Sequence, residues 1–203
     1  MRITKVLLSL AVTLVLALSC AVAQEKAPAK KAGPSDAQYT REALSAAPKS
    51  IAKDAGVMRM DADGKMRTLR ESKNGFTCMV SGTNKMCNDA NSMEFFGAMM
   101  KKATPTDKLG VSYMLAGDDG ASNTDPTATK KTVDNHWIVT GPHLMITGAA
   151  AKTLGYTEAP DPDPTKPYMM WAGTPYEHAM VPIGAHGTPA KMAPMSDMKD
   201  EKK

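Results

Sequence analysis

VMRMDADGKMRTLRESKNGFTCMV, residues 57–80, decides the fold of this chain. Three short extended runs, VMRM, KMRTLRE and GFTCMV, are separated by DADG and SKNG. Asp, Asn, Ser and Gly reverse a chain by bonding their own backbone or by accepting positive φ. The pattern predicts an antiparallel meander. Asp61-Ala62-Asp63-Gly64 opens like a calcium loop, but Ser72 stands eleven residues after Asp61, where an EF-hand needs an acidic ligand. It therefore reads as a hairpin turn.

Working outward, Ser35 can cap a helix with Gln38 completing a capping box. That helix runs from Asp36 to about Ala47, where Pro48 breaks it. A second helical turn is expected from Ile51 to Ala55, ending at Gly56. On the other side, Asn91 is the expected cap of a longer helix, with Glu94 at its third position. Met93, Phe96 and Met100 recur at helical spacing, flanked by Phe95 and Met99, and Lys101-Lys102 suit the negative end. This stripe is assigned to the core, as are the other methionines of residues 57–100.

After Pro105 come five strand candidates: VSYMLAG, HWIVT, HLMITG, PYMMWAG and EHAMVPI. Polar segments at 118–135 and 158–167 interrupt them, the second holding DPDPTKP, which excludes a helix. Runs of strands with one or two packed helices imply a single α+β domain on an antiparallel sheet, over residues 35–186.

The ends are read differently. Arg2 and Lys5 precede the apolar run Val6 to Leu18, which is too short to span a bilayer, and Ala21-Val22-Ala23 supplies small residues for a signal peptidase. Residues 1–23 are thus expected to be a cleaved signal peptide. A lipoprotein signal ending at Cys20 is the competing reading, disfavoured because Ala17 stands where a bulky aliphatic residue is needed. Residues 24–34 (QEKAPAKKAGP) are a Lys-, Ala- and Pro-rich linker, and residues 187–203 a tail without sheet pattern, expected to be disordered. No other stretch is apolar enough to cross a membrane.

Export implies an oxidising compartment, so Cys78 and Cys87 are expected to form a disulfide, worth roughly 2–3 kcal/mol by chain entropy. Their spacing lacks the C-x-x-C of zinc knuckles. Lys and Arg number 25 against 21 Asp and Glu; removing Arg2 and Lys5 lowers the formal charge from +4 to +2. So weak a field, with no basic stripe among aromatics, argues against nucleic-acid binding.

GDDGASNTDP, DNHWIVTGPHLMI and YMMWAGTPYEHAMVPI, preceded by GFTCMV, MCNDANSMEFF and LGVSYMLAG, resemble a family of uncharacterised secreted bacterial proteins over about residues 45–183. The resemblance implies one exported domain and carries no activity or ligand.

Three groups could carry chemistry. Asp118, Asp119, Asn123 and Asp125 share a long polar segment with Asp134, Asn135 and His136, and His143 follows. Carboxylates and imidazoles together ligate divalent metals or serve as acid and base, though the same residue types build loops. Glu177 and His178 would join them if the final strand lay beside the one bearing His143. Met192, Met195 and Met198 recur in the tail, and thioethers suit Cu(I). No G-x-S-x-G elbow, Walker loop or dinucleotide fingerprint is present. The favoured reading is a non-catalytic exported binding or structural module with no assigned cofactor. A soft- or divalent-metal protein using Met and His (copper included), and a hydrolase using Asp125, His136, His143 and His178, stand as alternatives.

Overall fold

The computed structural model describes residues 33–184. The expected signal peptide, most of the expected linker and the tail with Met192, Met195 and Met198 lie outside the described residues. Helices α1 (Asp36–Leu44) and α2 (Lys49–Ala52) lead into strands β1 (Gly56–Met60), β2 (Met66–Arg70), β3 (Thr77–Ser81) and β4 (Asn84–Asn88). Then follow α3 (Ala90–Met100), β5 (Gly110–Met114), the short β6 (Ala121–Ser122) and β7 (Trp137–Ile138), and β8 (His143–Thr147). A 3-10 turn over Ala149–Leu154 precedes β9 (Tyr168–Met170) and β10 (His178–Pro182). Eight strands form one sheet in the order β2-β1-β3-β4-β5-β8-β10-β9, with β6 and β7 paired separately. This is the expected α+β architecture, and Cys78 is bonded to Cys87 across the β3–β4 ladder, where the two residues stand directly opposite each other.

The meander needs correcting. β1 and β2 form the expected hairpin around Asp61–Gly64, where Gly64 takes φ +81°. β3 lies on the other side of β1 and runs parallel to it. The chain after Arg70 therefore passes beneath the start of β1 instead of turning back beside β2. The crossing is fastened by Lys73 N–H to the Asp54 carbonyl (2.8 Å), Asn74 Nδ2 to the Ile51 carbonyl (2.8 Å) and Gly56 N–H to the Phe76 carbonyl (2.8 Å). A Cβ on Gly56 would come within 3.1 Å of Ser72, so glycine is what lets the crossing pass so close.

β1 and β3 pair at Gly56–Thr77 and Val57–Cys78, and a bulge between Val57 and Met58 then turns β1 away. Tyr39 of α1 fills the breach. Its hydroxyl donates to the Met58 carbonyl (3.0 Å) and accepts from Val80 N–H (3.0 Å), replacing the lost rung of the ladder with a phenol. Tyr39→Phe keeps the ring and strands both backbone groups; we expect a loss of about 1–3 kcal/mol in urea unfolding. A change near zero would mean that solvent already serves those groups.

Side chains alternate across each strand, and both faces of the sheet are covered. On one face α1 packs Tyr39, Ala43 and Leu44 on Val57 and the disulfide, while Ala151 of the 3-10 turn covers Met169 and Ala179. The other face is dominated by methionine: Met86, Met114, Met145, Met170 and Met180 pack with Phe96, Met99, Ile138 and Trp171.

Helix boundaries also differ from expectation. Ser35 caps α1 by accepting from Gln38 N–H (3.2 Å), but the Gln38 side chain turns to Glu42, so only half of the capping box forms, and the helix ends at Leu44. The cap of α3 is Asp89, which accepts from Ser92 N–H (2.8 Å) and, with its other oxygen, from Val111 N–H (2.9 Å). Asn91 instead donates to the Leu109 carbonyl. Asp89 wins because one carboxylate satisfies donors on both the helix and the neighbouring strand.

Candidate functional site

The polar residues singled out in the sequence do not converge on one site. His143 begins β8 and is wholly buried. Its Nδ1 faces the Gly141 carbonyl at 2.7 Å, so that nitrogen carries the proton, and Nε2 is buried without a hydrogen-bond partner. Burial pushes its pKa down, opposed by the Gly141 carbonyl and the Asp118 charge. Asp118 Oδ1 accepts from Gly120 N–H and Thr140 N–H, each at 2.9 Å, and Thr140 Oγ1 contacts the Tyr168 hydroxyl at 2.7 Å. Burial raises the Tyr168 phenol above its ordinary range. These groups seat the 117–142 segment on the sheet.

His178 does lie on the strand beside His143, as anticipated. The register nevertheless pairs His143 with Pro182, four residues beyond His178, and Met145 with Met180 between them. Antiparallel pairing thus sets the two imidazoles diagonally apart. His178 donates Nδ1–H to the Tyr176 carbonyl (2.9 Å) and is boxed edge-on by Trp171, Phe95 and Phe96, its ring centroid 4.9 Å from that of Trp171. Burial drives its pKa to about 4, so it is a neutral aromatic filler at physiological pH.

The remaining candidates stabilise loops. His136, at φ +48°, pairs with Asp161 (2.9 Å) on the surface. Asp125 is exposed and accepts from the hydroxyl and N–H of Thr127, which hold its carboxyl below the usual range. Asn123 is a clamp: its side chain donates to the Ala159 and Pro160 carbonyls, while its backbone bonds His136 and Trp171. Asn135 bonds Lys130 and Thr132 within its own turn, and Asp119 accepts from Thr83 of the β3–β4 turn. Glu177, buried, meets Lys152 at 3.1 Å. Among the described residues no group of three or more His, Cys, Asp or Glu is arranged to hold a metal ion.

What the sequence reading missed is a groove of about 660 Å³ where β1 parts from β3. Met60 and Met66, opposite each other on the β1–β2 hairpin, form one wall; Met93, Phe96 and Met100 of α3 form the other, and Met79 of β3 lies between them. Met93, Phe96 and Met100 thus line an open groove, and exposed Met100 departs from its assignment to the core, as do Met60 and Met66, while Phe96 also packs in the methionine core. Met60, Met66 and Met100 are 45%, 37% and 67% exposed. The buried face of α3 is formed by Ser92 and Phe95. The usable signal was the placement of Met60 and Met66 at both ends of a tight turn, where neither could reach a core.

Comparison with protein-family models, with curated proteins and with solved structures finds no match.

Proposed function

We propose that this is an exported, non-catalytic binding module that holds a small apolar ligand in the methionine groove. The groove carries this reading: its volume lies in the range of small-molecule sites, about 300–1,000 Å³, and its lining is apolar with few polar groups. Methionine is unbranched and polarizable, so its side chains reshape around different ligands. Lys101 stands at one end and makes no ion pair among the described residues, which favours a ligand with an anionic end. The titratable groups that catalysis would need are spread over separate loops or sealed in the core. Export is supported by the disulfide, by the signal-like residues 1–23, and by the resemblance to secreted proteins. No helix among the described residues is long and apolar enough to cross a membrane.

The test is fluorescence titration of the folded protein with 1-anilinonaphthalene-8-sulfonate. Saturable binding of one dye per chain is expected, weakened at least tenfold by Met79→Asp, which sets a like charge against the sulfonate, and unchanged by Val133→Asp on an exposed loop. Dye binding indifferent to Met79→Asp would sink the groove reading. The five thioethers are also soft, neutral donors, which favours a second reading in which the groove holds Cu(I). Titration with Ag(I) separates the two: methionine methyl resonances of the groove shift at one equivalent only if the sulfurs bind metal.

A further inference from the structure

A second, smaller cavity, of about 190 Å³, lies between the 104–107 loop, the 3-10 turn and the loop preceding β10. Glu177 lines it with a side chain only 4% exposed. One carboxylate oxygen, Oε2, accepts from Gly173 N–H at 3.0 Å and meets the Lys152 ammonium at 3.1 Å. The other, Oε1, is buried with no hydrogen-bond partner. A half-served buried carboxylate is costly, because desolvation is offset only where every oxygen finds a donor.

The cation beside it is loosely committed. Lys152 reaches in from the surface on a flexible stem, with 48% of its side chain exposed. Its ammonium can swing out to water, and the penalty of leaving the buried carboxylate uncovered is relieved only when another cation takes its place. Asp107, exposed at the rim, adds a second negative charge, while Phe95, Pro105 and Pro175 give apolar walls. The cavity has room for about six water molecules at ~30 Å³ each. A buried anion among apolar walls selects a short alkyl chain ending in a compact cation that donates several charge-assisted hydrogen bonds.

We propose that this cavity binds a small primary alkylammonium ion, whose head group takes the place of the Lys152 ammonium against Glu177 and donates to Oε1. Lys152 is then an internal competitor that holds the site closed until such a ligand arrives. The cavity shares no lining residue with the methionine groove.

The experiment is a ¹H–¹⁵N titration of the folded protein with n-butylammonium chloride, with n-butanol and sodium butyrate as matched controls. Butylammonium is expected to shift the Gly173 and Thr106 amides saturably, with millimolar affinity, and the controls are not. Lys152→Met should tighten binding about tenfold by removing the competitor, and Glu177→Gln should abolish it. Should Glu177→Gln fail to fold, Ala149→Leu at the exposed rim fills the cavity, and should block binding without lowering Tm. The proposal is overturned if butanol shifts the same amides equally, if neither the wild type nor Lys152→Met responds saturably, or if Lys152→Met weakens binding.

Discussion

Gly110→Ala is expected to destabilise the domain by about 3–5 kcal/mol, a large share of the ~5–15 kcal/mol that holds a domain of this size. Gly110 opens β5 beneath the first turn of α3. A Cβ there would come within 2.4 Å of Ser92 N, 2.5 Å of Ser92 Oγ and 2.7 Å of Thr147 Oγ1. These atoms have nowhere to go. Ser92 N–H is held by the capping carboxylate of Asp89, and the Ser92 hydroxyl bonds Thr147 (3.1 Å) in a wholly buried contact. Overpacking alone costs about 1–3 kcal/mol, and breaking buried hydrogen bonds adds about 1–3 more. Urea midpoints read the loss directly, with Gly97→Ala as control: that helical glycine has nothing near its Cβ, so alanine should be neutral or slightly stabilising. A Gly110→Ala midpoint within about 1 kcal/mol of wild type would show that α3 can shift off the sheet, contrary to the packing described.

Acid should weaken the domain as pH falls from 6.5 toward 4. His178 has a folded-state pKa of about 4 against 6.5 in the unfolded chain, chiefly because burial disfavours the charged ring. Between these values the unfolded chain binds the proton and the folded one does not. Stability is therefore full above pH 6.5 and falls as pH drops toward 4. At pH 4.5 the loss from His178 alone is about 2–3 kcal/mol. His143 is shifted in the same direction by the same cause and adds to it. Asp36, Asp63, Asp125 and Asp163 have lowered pKa values, so their contributions are lost only below that window. Urea unfolding at pH 7.5 and 4.5 measures the slope, and His178→Phe should flatten it by about half. An unchanged slope in that variant would place the acid sensitivity elsewhere.

The sequence was most legible where one face of a strand had to be apolar. VSYMLAG, HLMITG, PYMMWAG and EHAMVPI all became strands of the sheet, and the Cys78–Cys87 bridge followed from there being one pair to make once Cys20 is expected to leave with residues 1–23. Neighbour relations were harder. Residue pattern marks a strand without saying which side of β1 it joins, so SKNG read as a reversal although it serves as a crossing. The polar segment misled for a related reason: Asn and Asp suit structural hydrogen bonds as well as a ligand, and here Asp125 and Asn135 bind their own turns while Asn123 clamps the 159–160 loop. Lys152 gave no signal at all, because its meeting with Glu177 depends on the 3-10 turn lying over β10.

The phenol of Tyr39 replaces one rung, but the outer hairpin is held by more than that oxygen. Arg70 donates to the Ala52 and Ala55 carbonyls, Leu69 packs on the α1 core, and Arg59 and Arg67 pair with Asp36. The wall that carries Met60 and Met66 is therefore braced from below, and accommodation of an occupant falls to unbranched thioether chains rather than to the backbone.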